Sequence, residues 1–195
     1  MPKRIIQNHH FLPGCDDSIE KVDLLEQLYP FNVEKPVSDL QYGYLWKNED
    51  FDKLIDTDTE LLSELWLTHE QLAKNIEDIF ACDNLEEFKW IPIVCHRNIA
   101  TPTCPWWWYR TTWFEMSFKI TEVVVLNKEK ANQALALLND KGKFSLDLYP
   151  ELVSQDLGMI FSDLHPHLIR DHKFLQWHNT PYRVDPKRAI KYLNI

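Results

Sequence analysis

The chain has 195 residues, of which 45% are hydrophobic, 26% charged and 13% aromatic, and only four are glycine. Such a chain is long enough to bury roughly 70% of the surface it exposes when unfolded. It is too poor in glycine for phosphate-cradling loops, and neither G-x-G-x-x-G nor G-x-x-x-x-G-K-[ST] occurs. The formal net charge is −9, and residues 39–87 hold 14 acids against 3 bases. A field of that sign repels phosphate backbones and attracts basic surfaces, so direct nucleic-acid binding is not expected.

The first segment, MPKRIIQNHHFLPGC, has a basic pair but no apolar run of signal-peptide length. No stretch approaches ~18 consecutive apolar residues, so no membrane span is expected. Four irregularly spaced cysteines (Cys15, Cys82, Cys95, Cys104) read as reduced thiols of a cytoplasmic protein.

In chain order, Asp16 or Asp17 caps a helix running to about Leu28, with Ile19, Val22, Leu25 and Leu28 on one face and Tyr29-Pro30 closing it. A short strand is allowed around Tyr42 to Trp46. Two stretches have capping-box spacing, Thr57-Asp58-Thr59-Glu60 and Thr68-His69-Glu70-Gln71. The first predicts a short helix with Leu61, Leu62, Leu65 and Trp66 inward. The second predicts one with Leu72, Ile76, Ile79 and Phe80 inward and a Glu70–Lys74 pair outside.

The period then changes. Phe88 to Cys95 reads as a strand that Pro92 pushes toward a sheet edge or a bulge, and residues 96–105 read as a loop. Phe114 to Thr121 alternates as a half-buried antiparallel strand. Val123 to Leu126 is apolar throughout and flips the phase of the alternation, as a strand covered on both faces or one entered through a bulge would. Asn127 should cap a helix over about 128–139, and Phe144, Leu146 and Leu148 then alternate as a strand. That completes a strand–helix–strand unit with its two strands parallel. Pro150 opens a helix burying Leu152, Val153, Leu157, Ile160 and Phe161, the stretch from His165 to Val184 is mixed and reads as irregular, and Asp185-Pro186 starts a terminal helix with Ala189, Ile190 and Leu193 inward. The expected architecture is α+β in one domain over residues 1–195: helix-rich and acidic to about 87, then a mixed, mainly antiparallel sheet with C-terminal helices.

Three places carry candidate chemistry. The consecutive Trp106, Trp107 and Trp108 split between two strand faces, so one face enters the core and the other meets a covering element, a partner or a ligand. The acidic run 48–60 is a solvated face or a docking surface; the calcium-loop pattern is absent. Cys95, His96 and Cys104 lack the spacing of a structural zinc site, and neither metal nor cofactor is assigned. The C-terminal segment holds His165, His167, His172 and His178 beside Asp163, Arg170, Asp171 and Arg183, the residue types of a general acid–base site.

Two functions follow as expectations. The first is an acidic module that docks on and masks a basic partner protein, an inhibitor- or immunity-type role. Glu49, Asp50, Asp52, Asp56, Asp58, Glu60 and Glu64 would steer association, and Trp66 or Trp107 would be the buried anchor. The alternative is a small hydrolase or phosphotransfer enzyme, with or without a metal ion, built on His165, His167, His172 and Asp171.

Overall fold

The computed structural model of the protein describes residues 50–81, 93–100, 119–141, 148–176 and 182–195. The helix expected over 16–28, the strands expected at 42–46, 114–118 and 144–147, Glu49, the tryptophan run and His178 lie outside these residues. Those described form an α+β arrangement in the order α1 (Phe51–Glu64), α2 (His69–Ala81), β1 (Ile93–Ala100), β2 (Lys119–Leu126), a 3-10 turn (Lys128–Lys130), α3 (Ala131–Lys141), α4 (Leu148–Ser154), β3 (Gly158–Ser162), α5 (His165–His172) and α6 (Pro186–Leu193). Among them no helix is long and apolar enough to cross a membrane.

The sheet of the described residues runs β1-β2-β3, antiparallel throughout. β2 is its centre, and Val123 to Leu126 are buried because both faces of the sheet are covered. On one face Val123, Val125, Met159 and Phe161 pack with Leu62 of α1, Leu72, Ile76, Ile79 and Phe80 of α2, Ile169 of α5 and Ala189 and Leu193 of α6. On the other, Val124, Leu126 and Ile160 pack with Ala134 and Leu138 of α3 and Leu152 of α4. An unbroken apolar run in a strand is the sequence consequence of that double cover. At roughly 1.5–3 kcal/mol for each large apolar side chain taken from water, these two clusters dominate the stabilising terms.

β1 lies at the outside of this strand order. Its register with β2 slips between Ile93 and Cys95, a bulge one residue from Pro92, as a proline without an N–H requires of a neighbouring ladder. The strand continues to Ala100, so His96 to Ala100 are paired backbone and not the start of a loop.

The capping box at Thr68 is formed: the Gln71 amide donates to Thr68 Oγ1 (3.1 Å), and the Thr68 amide donates to Gln71 Oε1 (2.8 Å). Asn127 and Asp185 cap the 3-10 turn and α6 as their positions predict, accepting from the amides of Glu129 and Arg188. Four expectations are corrected. α1 starts at Phe51, because Asp50 accepts from the amides of Asp52 and Lys53 and caps the helix a full two turns before Thr57. Lys74 pairs with Asp78 rather than Glu70. Leu148 opens α4 instead of continuing a strand. Finally, the strand that returns beside β2 is β3, and it is antiparallel.

The last correction has a local cause. α4 stops at Ser154, and Asp156 takes a left-handed conformation (φ 53°) while the Leu157 amide turns back to the Leu152 carbonyl (2.8 Å). Ile160 and Phe161 therefore enter β3, not a helix, and the start of the stretch that reads as irregular is the helix α5, with Pro166 in its first turn. Gly158 lets β3 approach β2: a Cβ there would stand 3.1 Å from Val124 Cγ1. With so few glycines in the chain, helix ends fall to other residues. Trp66, Asp156, Lys173 and Asn194, all at positive φ, follow α1, α4, α5 and α6.

Candidate docking face and histidine cluster

α1 presents an acidic line. Asp52, Asp56, Glu60 and Glu64 are all exposed and four residues apart, spanning about 18 Å of helix at a 1.5 Å rise per residue. Like charges at that spacing oppose the helix by about 0.2–0.5 kcal/mol per pair, and Glu60 and Glu64 sit near its negative C-terminal end. No basic residue occupies the last turn to offset them. Asp50 is exposed as well, but its carboxylate is occupied in capping.

Asp58 is the exception. It faces the interior and receives Arg183, whose Nη1 donates to Oδ2 at 3.2 Å and whose Nη2 donates to Oδ1. Both side chains are buried, and Nη1 also donates to the Gln176 carbonyl. Asp58 is thereby removed from the docking set, and Arg183 from the histidine cluster. A carboxylate inside α1 has this role because a buried charge needs a hydrogen-bonded counter-charge.

Just past α1, Trp66 is 94% exposed. Rather than packing inward, it occupies the left-handed position that closes the helix, with φ 56° and the Leu67 amide bonded to the Leu62 carbonyl at 3.0 Å. For a residue with a Cβ that conformation costs about 1 kcal/mol, and glycine would hold it freely. Trp66 thus combines backbone strain with an indole that contributes no burial. The other proposed anchor, Trp107, lies outside the described residues.

The histidines divide into two networks, because residues two apart on a helix point to nearly opposite sides. His165 is fully buried under Phe161, whose ring it meets edge-on at 6.4 Å. Its Nδ1 accepts from the Ser162 amide (2.7 Å), which places the ring proton on Nε2. Burial pushes its pKa down to about 4, and hydrogen bonding to the Tyr182 backbone only partly opposes this. Ser162 Oγ lies 3.2 Å from the same Nδ1. That lone pair already holds a backbone N–H, so Ser162 and His165 do not form a nucleophile–base pair.

His167 and His172 form the second network with Asp171. His167 Nδ1 is 2.6 Å from Asp171 Oδ2, and its Nε2 is 3.2 Å from His172 Nε2. A carboxylate only accepts, so Nδ1 of His167 carries a proton toward Asp171, and its Nε2 meets His172 on the other side of the ring. Arg170 reaches Asp171 (3.4 Å) and Glu77 of α2 (3.5 Å), fixing the carboxylate from the other side. Sequence reasoning put all four residues in one centre; His165 belongs to the core and the other three act together. Comparison with protein-family models, curated proteins and solved structures finds no match for this chain.

Proposed function

We propose that the protein is an acidic binding module that docks on a basic partner protein through α1 and Trp66, masking the surface it covers. The observation that carries the reading is Trp66: an aromatic kept at a strained left-handed position, almost fully in water, at the end of a helix lined with exposed acids. The exposed indole adds no burial to the fold, and Glu60 and Glu64 lie at the end of the helix where acids are unfavourable. Together they have the composition of an interface hot spot, with an aromatic to fill a partner pocket and acids to accelerate encounter. Asp52, Asp56, Glu60 and Glu64 supply the steering, and Asp50 adds charge at the start of the helix.

Replacement of Trp66 by glycine separates the two roles. Thermal unfolding should shift upward, by about 0.5–1 kcal/mol of added stability, because glycine relieves the left-handed strain. Capture of a basic protein from the native host's lysate at low salt should fall at least tenfold. In a second variant, neutralising the acids (Asp52→Asn, Asp56→Asn, Glu60→Gln, Glu64→Gln), association should slow and lose most of its salt dependence. If wild type and both variants retained the same proteins with the same salt profile, the docking reading would be lost.

A further inference from the structure

A second charged surface, of opposite sign to α1, has no role in the docking reading so far. α6 carries Lys187, Ile190 and Lys191 on one side, at the i, i+3 and i+4 positions of a helix. Lys187 is exposed, the Lys191 side chain is 49% exposed, and Ile190, expected inward, stays partly in water. Beside them Lys130, Arg188 and Lys191 converge on the one carboxylate of Asp156, at 3.8, 3.8 and 2.7 Å. Three cations around one anion leave a local surplus of positive charge on a chain whose net charge is −9.

This surface complements the end of α1. There Glu60 and Glu64 precede an exposed indole; α6 offers an apolar side chain between two ammonium groups. An indole laid on Ile190 is flanked by lysine stems, whose charged ends reach the acids and the ring face. One chain does not make this contact with itself: among the described residues Glu60 and Glu64 form no ion pair with Lys187 or Lys191. Yet α1 packs beside α6, and both belong to the layer that covers Val123 and Val125. Their solvent sides therefore share one face of the molecule.

We propose that α1 and Trp66 dock on α6 of a second copy of this chain, giving a closed dimer. The inference rests on the reading of α1 and Trp66 as a docking face and names its occupant. A two-fold axis between the helices sets α1 of each copy against α6 of the other, so the contact is made twice and the interface closes on itself. Each indole takes roughly 150–250 Å² of aromatic surface out of water. Repulsion between two chains of charge −9 does not prevent this at physiological salt. The Debye length there is about 8 Å, so distant charges are screened while contacting pairs are not.

The test is sedimentation equilibrium of the full chain at about 0.15 M salt. Wild type should sediment as a dimer at micromolar concentration. Glu60→Lys with Glu64→Lys places bases at the negative end of α1, and Lys187→Glu places an acid in the first turn of α6. Each change suits the dipole of its own helix, so a lost dimer is not a lost fold. Either variant should raise the dissociation constant about tenfold or more, because like charges then meet. An equimolar mixture of the two should dimerise as wild type does, since both contacts again join opposite signs. A monomeric wild type would overturn the dimer, as would a dimer that both charge variants leave intact or a mixture no tighter than its components. Lys187→Glu keeps α1 and Trp66 whole, so its capture of basic proteins from lysate reports on the docking face separately. A monomeric wild type beside undiminished capture sinks the dimer and leaves the docking face standing.

Discussion

Replacing Asp58 with alanine should destabilise the protein by about 3–5 kcal/mol, the largest effect expected of any single charged residue described here. The substitution strands the Arg183 guanidinium in the interior with the neutral Gln176 carbonyl as an acceptor, and a buried cation without its counter-charge is far costlier than the pair is stabilising. The two partners are 125 residues apart, so the pair joins α1 to the segment that leads into α6. Replacing both at once (Asp58→Leu with Arg183→Met) should recover most of the loss, because apolar residues of similar volume bring no desolvation penalty. Urea unfolding of the three variants measures this directly. A loss below about 1 kcal/mol for Asp58→Ala would mean that the pair is solvated, and Asp58 would return to the docking face.

Acid should destabilise the fold through His165. Its pKa is about 4 in the folded state against 6.5 when unfolded, so between these values the unfolded chain binds the extra proton. The stabilisation is complete above about pH 6.5 and is lost as pH falls toward 4, amounting to about 3 kcal/mol in all and about 2 kcal/mol by pH 5. Physically, a second ring proton removes the acceptor of the Ser162 amide at the end of β3. His165→Asn keeps an acceptor near Nδ1 and removes the titration, so its stability should depend less on pH across this window. His69 is also held below its ordinary value, chiefly by burial and then by Lys173, and contributes in the same direction. The difference between wild type and His165→Asn isolates the His165 share. Parallel pH profiles would show that this imidazole is protonated at no cost.

What the sequence makes legible is local. Thr68 and Gln71, Asn127, and Asp185 announce helix starts because a cap is a contact between residues two or three apart, and α2 follows from its apolar spacing alone. β3 is illegible for the same reason. Leu152, Val153, Leu157, Ile160 and Phe161 fit one helical face as well as they fit a helix followed by a buried strand, and the choice is made by pairing with β2 more than thirty residues away. Trp66 misleads because helical spacing points it inward, whereas the chain must turn at that residue and no glycine is there to do it. For the candidate site, the exposed acidic line of α1 can be read from spacing and composition. Asp58 cannot, since only the fold brings Arg183 to it. The histidines were visible as a cluster, yet their division into core and pair depends on which of them face the sheet.

Asp156 ends α4, yet its carboxylate reaches well beyond that turn. It accepts from Tyr192 Oη at 3.0 Å and from Lys191 Nζ at 2.7 Å, while the Asn127 amide group donates to its backbone carbonyl at 2.9 Å. One residue thus ties the exit of β2, the entry of β3 and the last helix of the chain. The consequence is kinetic and cooperative: fraying α6 breaks contacts that also hold the exit of β2 and the entry of β3. Amide hydrogens of α6 should therefore exchange together with those of β2 and β3, at the free energy of global opening, and not at the low cost usual for a terminal helix. A chain end that exchanges as slowly as the middle of its sheet is part of the same folding unit.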